Sequence, residues 1–375
     1  MRAVQIYVGL GAGNIGDELM MRAAWQCLPD ELVLEVPLAS EAARQHAAYP
    51  PPHHYIKLED ERALAPGLLV GATPVTSAEG LEWPLRALTP RIDAFHGRGL
   101  PVDAVGVGVD RLEDPAARAL FAGALARVRS WTVRSEACAA ALADLGVPPQ
   151  SVRVGADWAW LYRPGPAHRN WARAVWQRSG VDTARPLLVV NAVNMLWRGE
   201  TATRRSLAAG LSDAARKFGL QVAFFANECR AGEFYDHAAA GELGALLDVP
   251  YSILPNDYYS PDETLALLSP ATATLGARYH FLVESVLAGS VPVGILRGPK
   301  MRGLASDLPF PLAGTIERIE CSEVVAGVSD AVESRSSWRQ RLEARQFALA
   351  QRARNNLSFL RELDPYCGLR WPQER

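Results

Sequence analysis

The chain has 375 residues, 49% hydrophobic and 21% charged, with 39 Lys and Arg against 41 Asp and Glu and a formal charge of −2. That length exceeds a single hydrophobic core and suggests about two domains. The near-neutral balance excludes a global attraction to nucleic acid, so any anion site has to be local.

The start, MRAVQIYVGLGAGNIGDE, has one Arg and a short apolar run and shows no leader cleavage pattern. No stretch approaches the ~20 uninterrupted apolar residues of a membrane span. Cys27, Cys138, Cys229, Cys321 and Cys367 are scattered and never in CxxC spacing, which predicts reduced thiols in a cytoplasmic protein.

In chain order, AVQIYVG, ELVLEVPL, GLLVGAT, VDAVGVGV, SWTVR and SVRVGAD read as strands. Helix-period segments at 114–129 and 135–146 alternate with them, the second closed by Gly146, Pro148 and Pro149. Alternation of this kind predicts a parallel sheet flanked by helices. YRPGPAHRN, residues 162–170, breaks the pattern and reads as a boundary. Beyond it PLLVVNAVN, LQVAFFANE, PYSILPND, ATATLGARYH and VPVGILRG are again strands, with helices at 201–218, 262–269 and 280–289. The expected division is a first domain at 1–163, a linker at 164–185, a second domain at 186–330 and a helical tail at 331–375. That tail carries nine Arg against five acidic residues, suited to a solvated helix or to contact with an anionic membrane surface.

Gly11, Gly13 and Gly16 fit the dinucleotide spacing G-x-G-x-x-G, and Glu35 lies where a ribose-binding acid is expected. Asp17 and Glu18 argue against it, because carboxylates at the start of the following helix repel a diphosphate. A loop that brings a backbone close and aims Asn14 and Asp17 at sugar hydroxyls accounts better for Gly-Asn-x-Gly-Asp. Asp17 as a plain helix cap is the competing explanation.

In TLGARYHFLVESVLAGSVPVGILRGPK, residues 274–300, Arg278 and His280 fall where strand becomes helix and Lys300 just beyond the next strand. Ligands in open parallel sheets bind at such carboxyl ends, so the set suits a small, highly charged anion. Taken singly, Arg278 could instead pair with Glu284, His280 could cap a helix and Lys300 could be solvated. Arg134 leaves another strand and Asp157 follows the next. Arg134 is either a forked carboxylate ligand or one half of a surface pair with Glu136. The seven histidines, with His53 and His54 expected in an exposed loop, show no metal-ligand spacing, so no metal is expected.

GNIGDE, TVRSEACAAALADLGV, VGADWAW and ARYHFLVESVLAGSVPVGIL…K together resemble the polysaccharide pyruvyl transferase family, in order over most of residues 5–310. The chain departs from the family at VGATPVTS (70–77), where a Gly-rich run is usual. It departs again at Glu284, a position usually small and apolar, and at Trp158, where Pro usually follows the Asp. The resemblance implies two Rossmann-like domains facing across a cleft in a GT-B-like arrangement. It implies phosphoenolpyruvate as donor substrate with no cofactor, and a glycan or lipid-linked saccharide as acceptor. Arg134, Arg278, His280 and Lys300 would hold the donor, and Asn14 and Asp17 would lie on the acceptor side. His280 is the expected general acid and Asp17 the expected base. The rival expectations are a GT-B glycosyltransferase, with Glu284 gripping a nucleotide ribose, and a non-catalytic sugar- or nucleotide-binding relative.

Overall fold

The computed structural model of the chain describes residues 2–5, 13–28, 33–38, 54–57, 66–77, 80–165, 168–193, 201–230, 232 and 235–360. Gly11, His53, Cys367 and the rest of 361–375 lie outside the described residues. Contacts divide the chain into two units: Met1–Ala12, Met20–Tyr162 and Leu349–Arg375 form one, Gly13–Leu19 and Arg163–Ala348 the other.

The first unit is built on seven strands: β1 (Arg2–Gln5), β2 (Val33–Leu38), β3 (His54–Lys57), β4 (Gly67–Val70), β5 (Val102–Val107), β6 (Val128–Val133) and β7 (Val152–Val154). All pairings are parallel, in the order β3-β2-β1-β4-β5-β6-β7. β4 and β5 are buried along their whole length, which is why GLLV is apolar throughout and VDAVGV is apolar but for Asp103, instead of alternating. Asp114 caps the helix Pro115–Leu125 and Ser135 caps Glu136–Asp144, each through a side-chain oxygen that accepts a first-turn N–H. Phe95, Phe121 and Trp131 fill the core between sheet and helices.

The second unit has six strands: β8 (Leu187–Asn191), β9 (Gln221–Phe224), β10 (Tyr251–Ile253), β11 (Ala273–Gly276), β12 (Pro292–Leu296) and β13 (Leu312–Thr315). They too are all parallel, in the order β10-β9-β8-β11-β12-β13. The order reverses between β8 and β11, the point at which open α/β sheets bind ligands outside the carboxyl ends of their strands.

Several elements differ from the sequence expectation. β3 and β13 are added, and His54 opens a strand rather than lying in a loop. Residues 164–185, expected as a linker, contain the helix Arg169–Arg178, which buries Ala172, Val175 and Trp176. The tail is no separate element. The helix Cys321–Glu333 is followed by Arg335–Ala353, and the contact division falls between Ala348 and Leu349. Beyond it, Asn355 and Asn356 donate to the carbonyls of Val154 and Ala156 at 3.0 and 2.8 Å, which ties this end of the chain into the first unit.

Candidate active site

The expected donor residues of the second unit stand at the carboxyl ends of β11 and β12. Arg278 is the extended residue before the helix Tyr279–Leu287, and His280 lies in that helix's first turn. Lys300 does not follow β12 as free loop. Gly298 starts a helix, Gly298–Asp307, so Lys300 sits in its first turn, its ammonium 5.1 Å from the centre of the Tyr279 ring.

Arg278 does not pair with Glu284. Its Nε donates to both oxygens of Asp236 at 2.9 and 2.7 Å, and Nη2 donates to Oδ1 at 2.6 Å. Nη1 lies 3.8 Å from Glu228 Oε2. Burial opposes the Arg278 charge, but the Asp236 carboxylate outweighs it and holds the guanidinium above its ordinary pKa. Glu284 is 1% exposed; its Oε2 accepts from Asn227 Nδ2 at 2.6 Å. Burial pushes its carboxyl well above the usual range, and the Asn227 bond and the Arg278 charge oppose this only in part. A side chain so enclosed does not offer a carboxylate to a ribose.

The Gly-Asn-x-Gly-Asp loop, expected on the acceptor side of the N-terminal domain, groups with the second unit. Its backbone explains why: Cys229 N–H donates to Gly13 O at 2.7 Å, Ile15 N–H donates to Asn227 O at 3.1 Å, and Asn14 forms an antiparallel bridge with Glu228. Gly13 has φ of +92°, a backbone that glycine adopts without strain. Asn14, not Asp17, caps the helix Ile15–Cys27, its Oδ1 accepting from Gly16 N–H at 3.1 Å. Gly16 is required by a neighbour rather than by a phosphate: the space a Cβ would occupy is filled by the imidazole of His280. His280 is 6% exposed, so this docking largely encloses it. Glu18 is also buried, and Tyr258 donates its phenol to Glu18 Oε1. Burial and then the Glu18 carboxylate, with a smaller effect of Asp17, push the Tyr258 phenol far up. Burial, followed by Asp236, Glu228 and Glu284, raises the Cys229 thiol to about 12, so it stays protonated at neutral pH.

Asn14, Asp17, Arg278, His280 and Lys300 thus belong to one unit, and Arg134 to the other. Arg134 forms no surface pair with Glu136. It is 5% exposed, 3.3 Å from Asp157 and 2.9 Å from Thr73 Oγ1, in space left by the absent side chain of Gly108. Its fork is committed to neighbours just beyond β4 and β7 rather than presented to solvent. Glu35 is internal to β2, in register with Val4 and His54, not at the strand's carboxyl end. Among the described residues no group of three or more His, Cys, Asp or Glu is disposed to hold a metal ion, and no helix is long and apolar enough to cross a membrane. Cys27, Cys138, Cys229 and Cys321 are free thiols.

Sequence reasoning missed Asp236, Asn227, Glu228 and Tyr258. The polar pair Asn227 and Glu228, just past the apolar stretch VAFFA that begins in β9, was the available signal for two of them, since polar residues beyond a strand's carboxyl end are where ligands bind.

The model of the family described as polysaccharide pyruvyl transferase matches residues 14–297, three-quarters of the chain. The chain belongs to this family. The match begins at Asn14 and includes every expected site residue except Lys300. No curated protein matches the chain. Solved structures share the fold of this pyruvyl transferase family member at low identity. A putative UDP-N-acetylglucosamine 2-epimerase from Listeria monocytogenes is 10% identical with a TM-score of 0.64, over 100% of this chain and 99% of that one. The Neisseria meningitidis UDP-GlcNAc 2-epimerase bound to UDP-GlcNAc is 10% identical with a TM-score of 0.63, over 96% and 100%. Anabaena HepE in complex with UDP and glucose is 12% identical with a TM-score of 0.63, over 98% and 100%. The fold is therefore GT-B-like α/β, with two parallel sheets and C-terminal helices.

Proposed function

We propose that the chain transfers the pyruvyl group of phosphoenolpyruvate to two hydroxyls of a cell-surface glycan sugar, forming a cyclic ketal and releasing phosphate. The observation that carries this reading is the meeting of the two ends of the family match. His280, late in the matched region, fills the space at Gly16, two residues from where the match begins. A candidate acid and the loop bearing the candidate base Asp17 then belong to one site. Lys300 and the N-terminal end of the helix Gly298–Asp307 suit the donor's phosphate. Arg278, whose Nε and Nη2 are tied to Asp236, has only Nη1 left to turn toward the carboxylate.

In this scheme His280 protonates the methylene carbon of the donor, giving an oxocarbenium-like centre at C2. The first acceptor hydroxyl adds there and yields its proton to Asp17. The C2–O bond to phosphate breaks, the second hydroxyl adds, and its proton is taken up. In the balance one hydroxyl proton replaces the one placed on carbon and the other accompanies phosphate. Acid and base catalysis are each worth ~10²–10⁴-fold.

The test is phosphate release from phosphoenolpyruvate by the full chain in the presence of UDP-linked or lipid-linked saccharides, with mass analysis of the acceptor. The expected result is release coupled to a pyruvyl adduct, lost in His280→Ala when assayed well below that variant's own melting temperature. Turnover of a UDP-sugar with no phosphate released from phosphoenolpyruvate would replace this reading with a nucleotide-sugar enzyme.

A further inference from the structure

One heavily bonded side chain in the second unit is not used by the scheme above. Asp236, the first residue of the helix Asp236–Gly244, is 0% exposed. A carboxylate so buried is tolerated only if its oxygens are matched by donors. Asp236 accepts six hydrogen bonds. Three come from Arg278; to Oδ2 come Asn191 Nδ2 at 2.8 Å, Asn227 N–H at 3.1 Å and Glu228 N–H at 3.0 Å.

These donors come from the carboxyl ends of three adjacent strands: Asn191 ends β8, Asn227 and Glu228 follow β9, and Arg278 follows β11. The same short backbone segment that Asp236 grips by its N–H groups also holds the N-terminal loop, through Asn227 O, Glu228 and Cys229 N–H. Glu284 secures Asn227 by its side chain as well. One carboxylate is thus bonded both to the Arg278 guanidinium and to the peptide segment on which residues 13–15 rest.

We infer that Asp236 is a positioning residue that sets Arg278 and the Asn14–Asp17 loop in one register, so that donor-side and acceptor-side groups of the candidate site share a single anchor. The inference rests on the proposed reading for what the site binds, but not for the coupling itself. Asp236 touches no reacting atom; it acts through Arg278 and through the 227–229 backbone. Without its charge, Arg278 keeps the 3.8 Å approach to Glu228 as its acidic contact among the described residues, and the N–H groups of Asn227 and Glu228 lose a charged acceptor.

The experiment is hydrogen exchange followed by mass spectrometry on the full chain without ligand, comparing wild type with Asp236→Asn. Asp103→Asn serves as control, because Asp103 is equally buried but bonded to Arg129 and Ser130 in the other unit. The expected result is exchange about tenfold faster or more in the peptide covering 13–19, while the helix Thr201–Phe218 stays protected and the control leaves 13–19 unchanged. Unchanged exchange at 13–19, or an equal rise in the control, overturns the inference. Should Asp236→Asn fail to fold, Asn191→Ala removes a single donor to Oδ2, and the same peptide has to show a smaller rise; no rise also overturns it.

Phosphoenolpyruvate affinity, measured well below the melting temperature, is the second readout, with Kd expected to rise about tenfold or more in the variant. A purely architectural Asp236 lowers the melting temperature without moving Kd, which counts against the inference. If exchange at 13–19 rises as expected but phosphoenolpyruvate binds neither protein, the substrate reading fails and the positioning role stands.

Discussion

Gly16→Ala probes the junction on which the site depends. A Cβ at position 16 would fall well inside 3.0 Å of Nδ1, Cγ and Cβ of His280. Because one of those atoms is the histidine's own Cβ, a rotamer change cannot clear the overlap; the loop or the helix Tyr279–Leu287 has to shift. Overpacking of this kind costs typically 1–3 kcal/mol, and a clash with a helix-borne Cβ belongs at the upper end. At roughly 2–4 °C per kcal/mol for a unit of this size, the melting temperature falls by about 6–12 °C. The loop is held by few backbone bonds, so the alternative to strain is local undocking, seen as faster exchange at 13–19. Thermal denaturation and hydrogen exchange of Gly16→Ala and Gly16→Ala/His280→Gly settle the matter in a double-mutant cycle. His280→Gly removes the obstructing atoms, whereas His280→Ala leaves the Cβ in place, so only the glycine double variant is expected to recover stability beyond additivity. A Gly16→Ala protein with unchanged melting and unchanged exchange refutes the docking of this loop on His280.

Three further outcomes follow from the geometry. Burial raises the Glu284 carboxyl above its ordinary value of 4.5, so the unfolded chain gives up this proton first and wild-type stability falls as pH rises above that value. Glu284→Gln does not titrate, so its unfolding free energy relative to wild type, read by denaturant titration at several pH values, should climb from about pH 4.5 upward, at up to ~1.4 kcal/mol per pH unit until the folded group ionises; a pH-independent difference contradicts the assignment. Ala72 is the one non-glycine among the described residues with positive φ, at 55°, directly after Gly71. Ala72→Gly relieves ~1–2 kcal/mol of left-handed strain against ~0.4–1 kcal/mol of added unfolded-state entropy, so denaturant titration should find it neutral to slightly stabilising, not destabilised by 1 kcal/mol. Gly108→Ala intrudes on the Arg134 guanidinium and breaks its buried contact with Asp157, for a loss of about 3 kcal/mol in the same titration; a loss below about 1 kcal/mol would mean that the arginine has another seat.

Much of the fold was legible because parallel strands buried on both faces leave continuous apolar runs. GLLV, VDAVGV and LLVVN stand out against polar helices on that account. β13 did not, since LAGT is four residues long, lies at a sheet edge, and is half glycine and alanine. The helix Arg169–Arg178 was hidden by the preceding Pro-Gly-Pro and by a solvent face rich in Arg, with only Ala172, Val175 and Trp176 turned inward.

At the site, the placement of Arg278 and His280 where β11 gives way to helix could be read from ATLGARYH, because glycine and a strand end mark such turns. Their partners could not. Arg278 has an acidic residue six positions on in Glu284, yet its charge is met by Asp236, 42 residues earlier in the chain, which only the folding of β8, β9 and β11 side by side brings near. Gly-Asn-x-Gly-Asp reads as a loop that lets a backbone come close, whereas what approaches Gly16 is a side chain more than 260 residues away.

Donor binding is read directly from the melting temperature of the full chain titrated with phosphoenolpyruvate, beside a parallel titration with UDP-GlcNAc. A ligand at 100 times its Kd adds ~2.7 kcal/mol, or about 5–11 °C at the sensitivity used above. Phosphoenolpyruvate is expected to raise the melting temperature of wild type, and His280→Ala and Lys300→Ala to weaken or abolish the rise. A shift with the nucleotide sugar alone, and none with phosphoenolpyruvate at millimolar concentration, would contradict it.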